Sequence, residues 1–147
     1  MVSPEMLRRY PYFAGVSEES LKRVATISDE KMISAGEVIF REGQDSTCLH
    51  IVVAGQVDIQ FELGNGERRT VDTLVGGDLL VLSALVEPYK ITATSVARTA
   101  VRLISIDARQ LRQMMEADPL LGFRLMQGVA KAMSDRLHGA RVQIASM

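Results

Sequence analysis

The chain has 147 residues with no tryptophan, four prolines and a single cysteine. Cys48 has no partner with which to close an intramolecular disulfide, so the sequence reads as that of a protein kept in a reducing, cytoplasmic setting. A surplus of charge is missing too: 17 Lys and Arg stand against 18 Asp and Glu, a formal net charge of -1. That balance excludes the basic footprint of an autonomous nucleic-acid binder and any overall attraction to an anionic membrane. No apolar run approaches the roughly 20 residues of a membrane span. The first ten residues lack the apolar stretch of a signal peptide. Catalytic signatures are also absent. There is no nucleophile elbow, no zinc-ligand spacing and no Gly-Lys-Ser/Thr phosphate loop. Cys48 and His50 sit two apart and His138 is remote, which is weak ground for metal or haem. The expectation is a protein without enzymatic activity, metal or cofactor.

What is present organises the chain into three stretches of one domain, residues 1–147. Residues 1–30 read as helices. Ser3 caps a first helix with Pro4 inside its start, and Ser17 caps a second one with Glu18 and Glu19 in its first turn. Residues 31–107 are β-rich and broken by glycines. Strands are expected at 37–41, 49–53, 57–61, 70–75 and 100–106, the last of them buried on both faces. Asn65-Gly66 marks a tight hairpin turn. Residues 108–147 return to helix, with Asp107 and then Asp118-Pro119 as starts. On the final helix Met126, Ala130, Met133, Leu137, Ala140 and Ile144 recur at alternating spacings of four and three, a coiled-coil seam suited to a homodimer. Beside it Leu121, Leu125, Val129 and Ala132 form a second stripe for packing on the β domain.

The order of elements and the glycines resemble the cyclic-nucleotide-binding domain superfamily, in particular the effector domain of the catabolite activator family. The residues that carry the likeness are Gly36-Glu37-Val38-Ile39-Phe40-Arg41-Glu42-Gly43, Leu49 to Val53, Gly55-Gln56-Val57, Gly77-Asp78, Ala93-Thr94 and Ala97. The resemblance implies an α+β, mainly β fold: a double-stranded β-helix or jelly-roll-like β-roll, N-terminal helices, and a long C-terminal dimerisation helix.

The same resemblance places the phosphate-binding cassette at 77–97. In the family a cassette Glu accepts from the ribose hydroxyl, and an Arg nine residues later pairs with the cyclic phosphate. Here Gly77, Asp78, Ala84 and Leu85 keep the frame, but the cassette Phe becomes Leu80, its Gly becomes Val81, its Glu becomes Leu82 and its Arg becomes Ile91. A buried cyclic phosphate without a paired cation costs several kcal/mol. The expectation is therefore a regulatory or sensory module with a degenerate nucleotide site, lined by Leu82, Ser83, Lys90, Ile91, Thr92, Thr94 and, from the last helix, Arg136. It would act through a different small-molecule ligand in the roll or through a protein partner. Two alternatives stand beside it: a genuine cyclic-nucleotide receptor that uses Lys90 in a shifted cassette, and a purely structural dimerisation module. In the family's transcription factors a DNA-reading module follows the long helix. The sequence shows none before Met147, so direct DNA binding is not expected, and neither is a membrane partner.

Overall fold

The computed structural model describes residues 1–147. Each helix starts where a short polar side chain caps a free backbone N–H. Ser3 Oγ accepts from Met6 N at 3.2 Å to start α1 (Pro4–Arg8), and Ser17 Oγ accepts from Ser20 N at 3.2 Å to start α2 (Glu18–Thr26). Asp107 caps α3 (Ala108–Ala117) through Gln110 N at 3.0 Å. Asp118 caps α4 (Pro119–Ala145) through Leu121 N at 3.3 Å. A 3-10 turn at Pro11–Phe13 joins α1 to α2.

Eight strands lie between α2 and α3: β1 (Ser28–Ile33), β2 (Val38–Phe40), β3 (Cys48–Ala54), β4 (Val57–Glu62), β5 (Arg68–Leu74), β6 (Leu79–Leu80), β7 (Thr94–Ala97) and β8 (Val101–Asp107). They form two four-stranded antiparallel sheets, in the orders β1-β8-β3-β6 and β2-β7-β4-β5. This is the mainly-β roll with a long C-terminal helix that the sequence implied. β3 and β8 are interior strands and bury most of both faces, which explains their continuous apolar runs. β4 alternates, with Val57 and Ile59 inward and Asp58 and Gln60 half-buried on the other face. Asn65-Gly66 turns the β4–β5 hairpin, with Gly66 at φ +85° and Asn65 Oδ1 accepting from Glu67 N. Between β3 and β4, Gly55 sits at φ +94°, and a Cβ there would lie 2.2 Å from the carbonyl oxygen of Ala100. Only glycine fits that crossing.

β1 departs from the sequence expectation, which gave residues up to 30 to helix and placed the first strand at 37–41. Its residues, Ser-Asp-Glu-Lys-Met-Ile, have no alternating apolar pattern, and four of the six are exposed. The strand is held by its ladder to β8, from Ser28 opposite Ile106 to Ile33 opposite Val101.

One hydrophobic cluster joins the roll to the helices. α4 contributes Leu121, Leu125 and Val129, all fully buried, with Ala132 partly buried beside them. The parallel stripe faces outward: Met126, Met133, Leu137 and Ile144 are exposed. Beyond Val129 the helix has no fully buried residue, and two long polar side chains tie it to the roll. Arg136 Nη2 donates to the Leu79 carbonyl at 2.8 Å, and Gln143 Nε2 donates to the Val71 carbonyl at 3.2 Å.

Candidate functional site

The chain leaves β6 through Val81 at φ +66°, ψ +60° and enters a 3-10 turn at Leu82–Ala84. A β-branched residue in the left-handed region is strained. The conformation suits the glycine that the resemblance puts at this position, and the valine has adopted it. Val81, Leu82 and Ala84 are buried beneath the turn. From α3, the Arg112 guanidinium donates to the Ala84 carbonyl at 2.7 Å and lies 4.0 Å from the centre of the Tyr89 ring. The segment after the turn is stitched to the loop before β3: Ile91 N donates to Gln44 O, Gly43 N to Ile91 O, and Ser46 N to Tyr89 O, each at 2.8 Å.

These elements enclose a cavity of about 330 Å³ between the cassette, β4, β7 and α4. Of the residues expected at the site, Leu82, Ser83, Lys90, Ile91, Thr92 and Arg136 all line it. Thr94 is not among the lining residues. It is buried, and its hydroxyl accepts from Glu42 N at 3.2 Å. Ile59, Val86, Ser95 and Met133 were not among the expected site residues, and they complete the wall together with Leu80, Val81, Glu87, Pro88 and Ala93. Ser95 and Thr94 are adjacent on β7 and point to opposite faces of the sheet, and only Ser95 lines the cavity.

The polar groups around this cavity are mostly engaged. The Ser83 and Ser46 hydroxyls share a hydrogen bond of 2.6 Å. The Lys90 ammonium is paired with the Asp45 carboxylate on the exposed rim. Arg136 donates to Leu79 and stands 3.9 Å from the Asp72 carboxylate. Burial pulls the guanidinium pKa down, and Asp72 and Asp78 oppose that pull. Among the buried side-chain polar atoms only the Ser95 hydroxyl lacks a partner, its residue being 2% exposed; the Thr92 hydroxyl is also unbonded but open to solvent.

Arg136 also lines a larger polar groove of about 760 Å³ between α4, the Pro11–Phe13 turn and the β5–β6 connection. There the Tyr12 hydroxyl donates to the Gly77 carbonyl at 2.6 Å. Cys48 and His50 contribute to neither space. His50 is buried on β3 with its Nδ1 2.6 Å from the Ser105 hydroxyl.

A roll of two antiparallel sheets, with a helical turn inserted over a cavity and a long helix laid against it, defines a class of regulatory ligand-binding domain. The chain belongs to the cyclic nucleotide-binding domain family, whose model matches residues 30–118. It is similar to the crystal structure of a Geobacter metallireducens GS-15 protein named for cyclic nucleotide binding, with 38% identity, a TM-score of 0.82, and coverage of 94% of this chain and 100% of that one. It is 24% identical over 127 residues to a Rhodopseudomonas palustris protein named as a potassium channel, covering 86% of this chain and 30% of that protein. It is 23% identical over 127 residues to the CRP-like cAMP-activated global transcriptional regulator of Mycobacterium tuberculosis, covering 86% of this chain and 57% of the regulator. The chain thus spans between about a third and a little over half of these two curated relatives. No helix is long and apolar enough to cross a membrane.

Proposed function

We propose that this chain is a sensory regulatory domain that keeps the cyclic nucleotide-binding fold without the groups that recognise a cyclic phosphate and ribose. The observation that carries this reading is the cavity itself. It sits where the resemblance puts the nucleotide, yet Leu82 and Ile91 occupy the positions of the family's Glu and Arg, and both are buried in its wall. The two nearby cations do not replace that Arg, since Lys90 is exposed and paired with Asp45 and Arg136 is bonded to the Leu79 carbonyl. A phosphate placed there would lose its hydration without gaining a bidentate partner. Signalling runs from the cavity to α4 through Met133 and Arg136, which belong to both. The output is the geometry of a homodimer or of a contact with a protein partner. A purely structural role is disfavoured by an open cavity beside Leu82 and Ile91.

Calorimetric titration with cyclic AMP and cyclic GMP tests the reading, and neither is expected to give saturable heat. Micromolar binding of either nucleotide overturns it. The second reading, a true cyclic-nucleotide receptor, draws support from the names of the relatives and from Lys90 at the cavity rim. It requires that binding be lost in Lys90→Ala and weaken as salt rises.

A further inference from the structure

We infer that the cavity beneath the cassette takes a neutral, mainly apolar molecule anchored through one hydrogen-bonding group on Ser95. The inference rests on the reading just given and names the chemistry of the occupant. Ser95 lies opposite Ile59 across the β4–β7 ladder, and both face the cavity. Its hydroxyl is the one buried side-chain polar atom in the chain without a hydrogen-bond partner. Folded proteins rarely leave such a group unpaired, and where they do, a guest or a bound water completes it. A hydroxyl both donates and accepts, so a carbonyl, hydroxyl, amide or amine N–H of the ligand satisfies it.

The rest of the wall sets the ligand's polarity. Ile59, Val81, Leu82, Val86, Ile91 and Met133 offer apolar surface, and the other unbonded hydroxyl, that of Thr92, is exposed to solvent and needs no ligand to satisfy it. The Ser83 hydroxyl is already bonded to Ser46. An anion would find each nearby cation engaged, Lys90 by Asp45 and Arg136 by Leu79 with Asp72 beside it. A cation would find Glu87 alone, which is exposed to solvent. Removing either charge from water without a committed partner is unfavourable. A neutral body with one polar atom meets neither penalty.

The test uses N-phenyl-1-naphthylamine, a neutral apolar fluorophore with a single N–H, titrated into the full chain. Expected is a blue-shifted, saturable emission with one site per chain and an affinity insensitive to salt. Ser95→Ala is expected to weaken it about five-fold, the effect of one hydrogen bond. Ile91→Arg, which fills and charges the wall, should weaken it more than ten-fold while leaving the far-ultraviolet circular dichroism unchanged. If Ile91→Arg does not fold, the smaller Ser95→Ala change still decides the matter. Absence of saturable emission, or emission indifferent to both substitutions, as from the exposed face of α4, overturns the inference. So does a crystal structure grown with the probe that shows only ordered water at Ser95. Displacement of the probe by cyclic AMP would instead overturn the proposed function and leave the cavity a ligand site. Failure of the probe with no nucleotide binding overturns only the present inference.

Discussion

Three residues show how local surroundings rewrite ordinary side-chain behaviour. His50 is enclosed on β3, with its ring centre 4.7 Å from that of Phe40 and its Nδ1 on the Ser105 hydroxyl. Burial, aided by the charge of Lys31, lowers its pKa from 6.5 to about 3. The folded state therefore binds fewer protons than the unfolded chain below the ordinary histidine value. The stability tied to this group is complete above pH 6.5 and falls as the pH drops toward 3. Between pH 7 and pH 5 the loss is about 2 kcal/mol, and His50→Asn should flatten that slope in urea midpoints measured across the range. Val81 holds a backbone conformation made for glycine, and replacement of the cassette glycine was legible in the sequence even though the strain was not. Ser95, and not its neighbour Thr94, lines the cavity. What separates them is which hydroxyl has a partner: Thr94 accepts from Glu42 N, fifty-two residues away in sequence. No local signal reveals that.

The elements that were legible are those whose determinants are local. Ser3, Ser17, Asp107 and Asp118 announce four helices because a cap acts within one turn. β1 was missed because its pairing with β8 joins residues 68 to 78 positions apart, and its side chains carry no alternation. α4 combines both kinds of information. Its two apolar stripes were plain, but the reason for Gly128 was not. A Cβ on that residue would lie 2.5 Å from Tyr12 Cδ1 and 3.4 Å from a Leu79 methyl. The Tyr12 ring cannot yield freely, since its hydroxyl is tied to Gly77. In an exposed helix, Gly→Ala raises stability by about 1 kcal/mol through propensity. Here the sign should reverse: Gly128→Ala is expected to lower the thermal midpoint by a few degrees, and Gly139→Ala, with open space around it, to raise it. Two melts under one condition check the pair.

At the scale of the molecule, the seam on α4 is an apolar stripe without a partner inside the chain. Met133 is 44% exposed, Leu137 54% and Ile144 69%. Such a stripe, at coiled-coil spacing, calls for a second helix. Leu137→Glu places a charge in the seam without touching the cavity. It is expected to shift sedimentation-equilibrium mass from dimer to monomer while leaving the far-ultraviolet spectrum intact. A wild-type chain that sediments as a monomer at every concentration would remove the dimer from the mechanism. The architecture and the altered cassette were readable at this scale because the glycines and the cassette frame are fixed by backbone geometry. The cavity was legible only in part: its cassette wall and Arg136 were expected, but Ile59 of β4 and Ser95 of β7 were not, because the wall joins segments separated by up to seventy-seven residues, from Ile59 to Arg136.

The Tyr12–Gly128 contact also gives the protein a built-in optical gauge. With no tryptophan to dominate the emission, near-ultraviolet light is absorbed and returned mainly by three tyrosines. Tyr12 spans the joint between the N-terminal turn, the cassette approach and α4, and Tyr89 lies under Arg112 at the joint between the cassette and α3. Movement of either helix relative to the roll therefore changes the surroundings of a native chromophore. Conformational coupling in this molecule can be followed by its own light, without attaching a label.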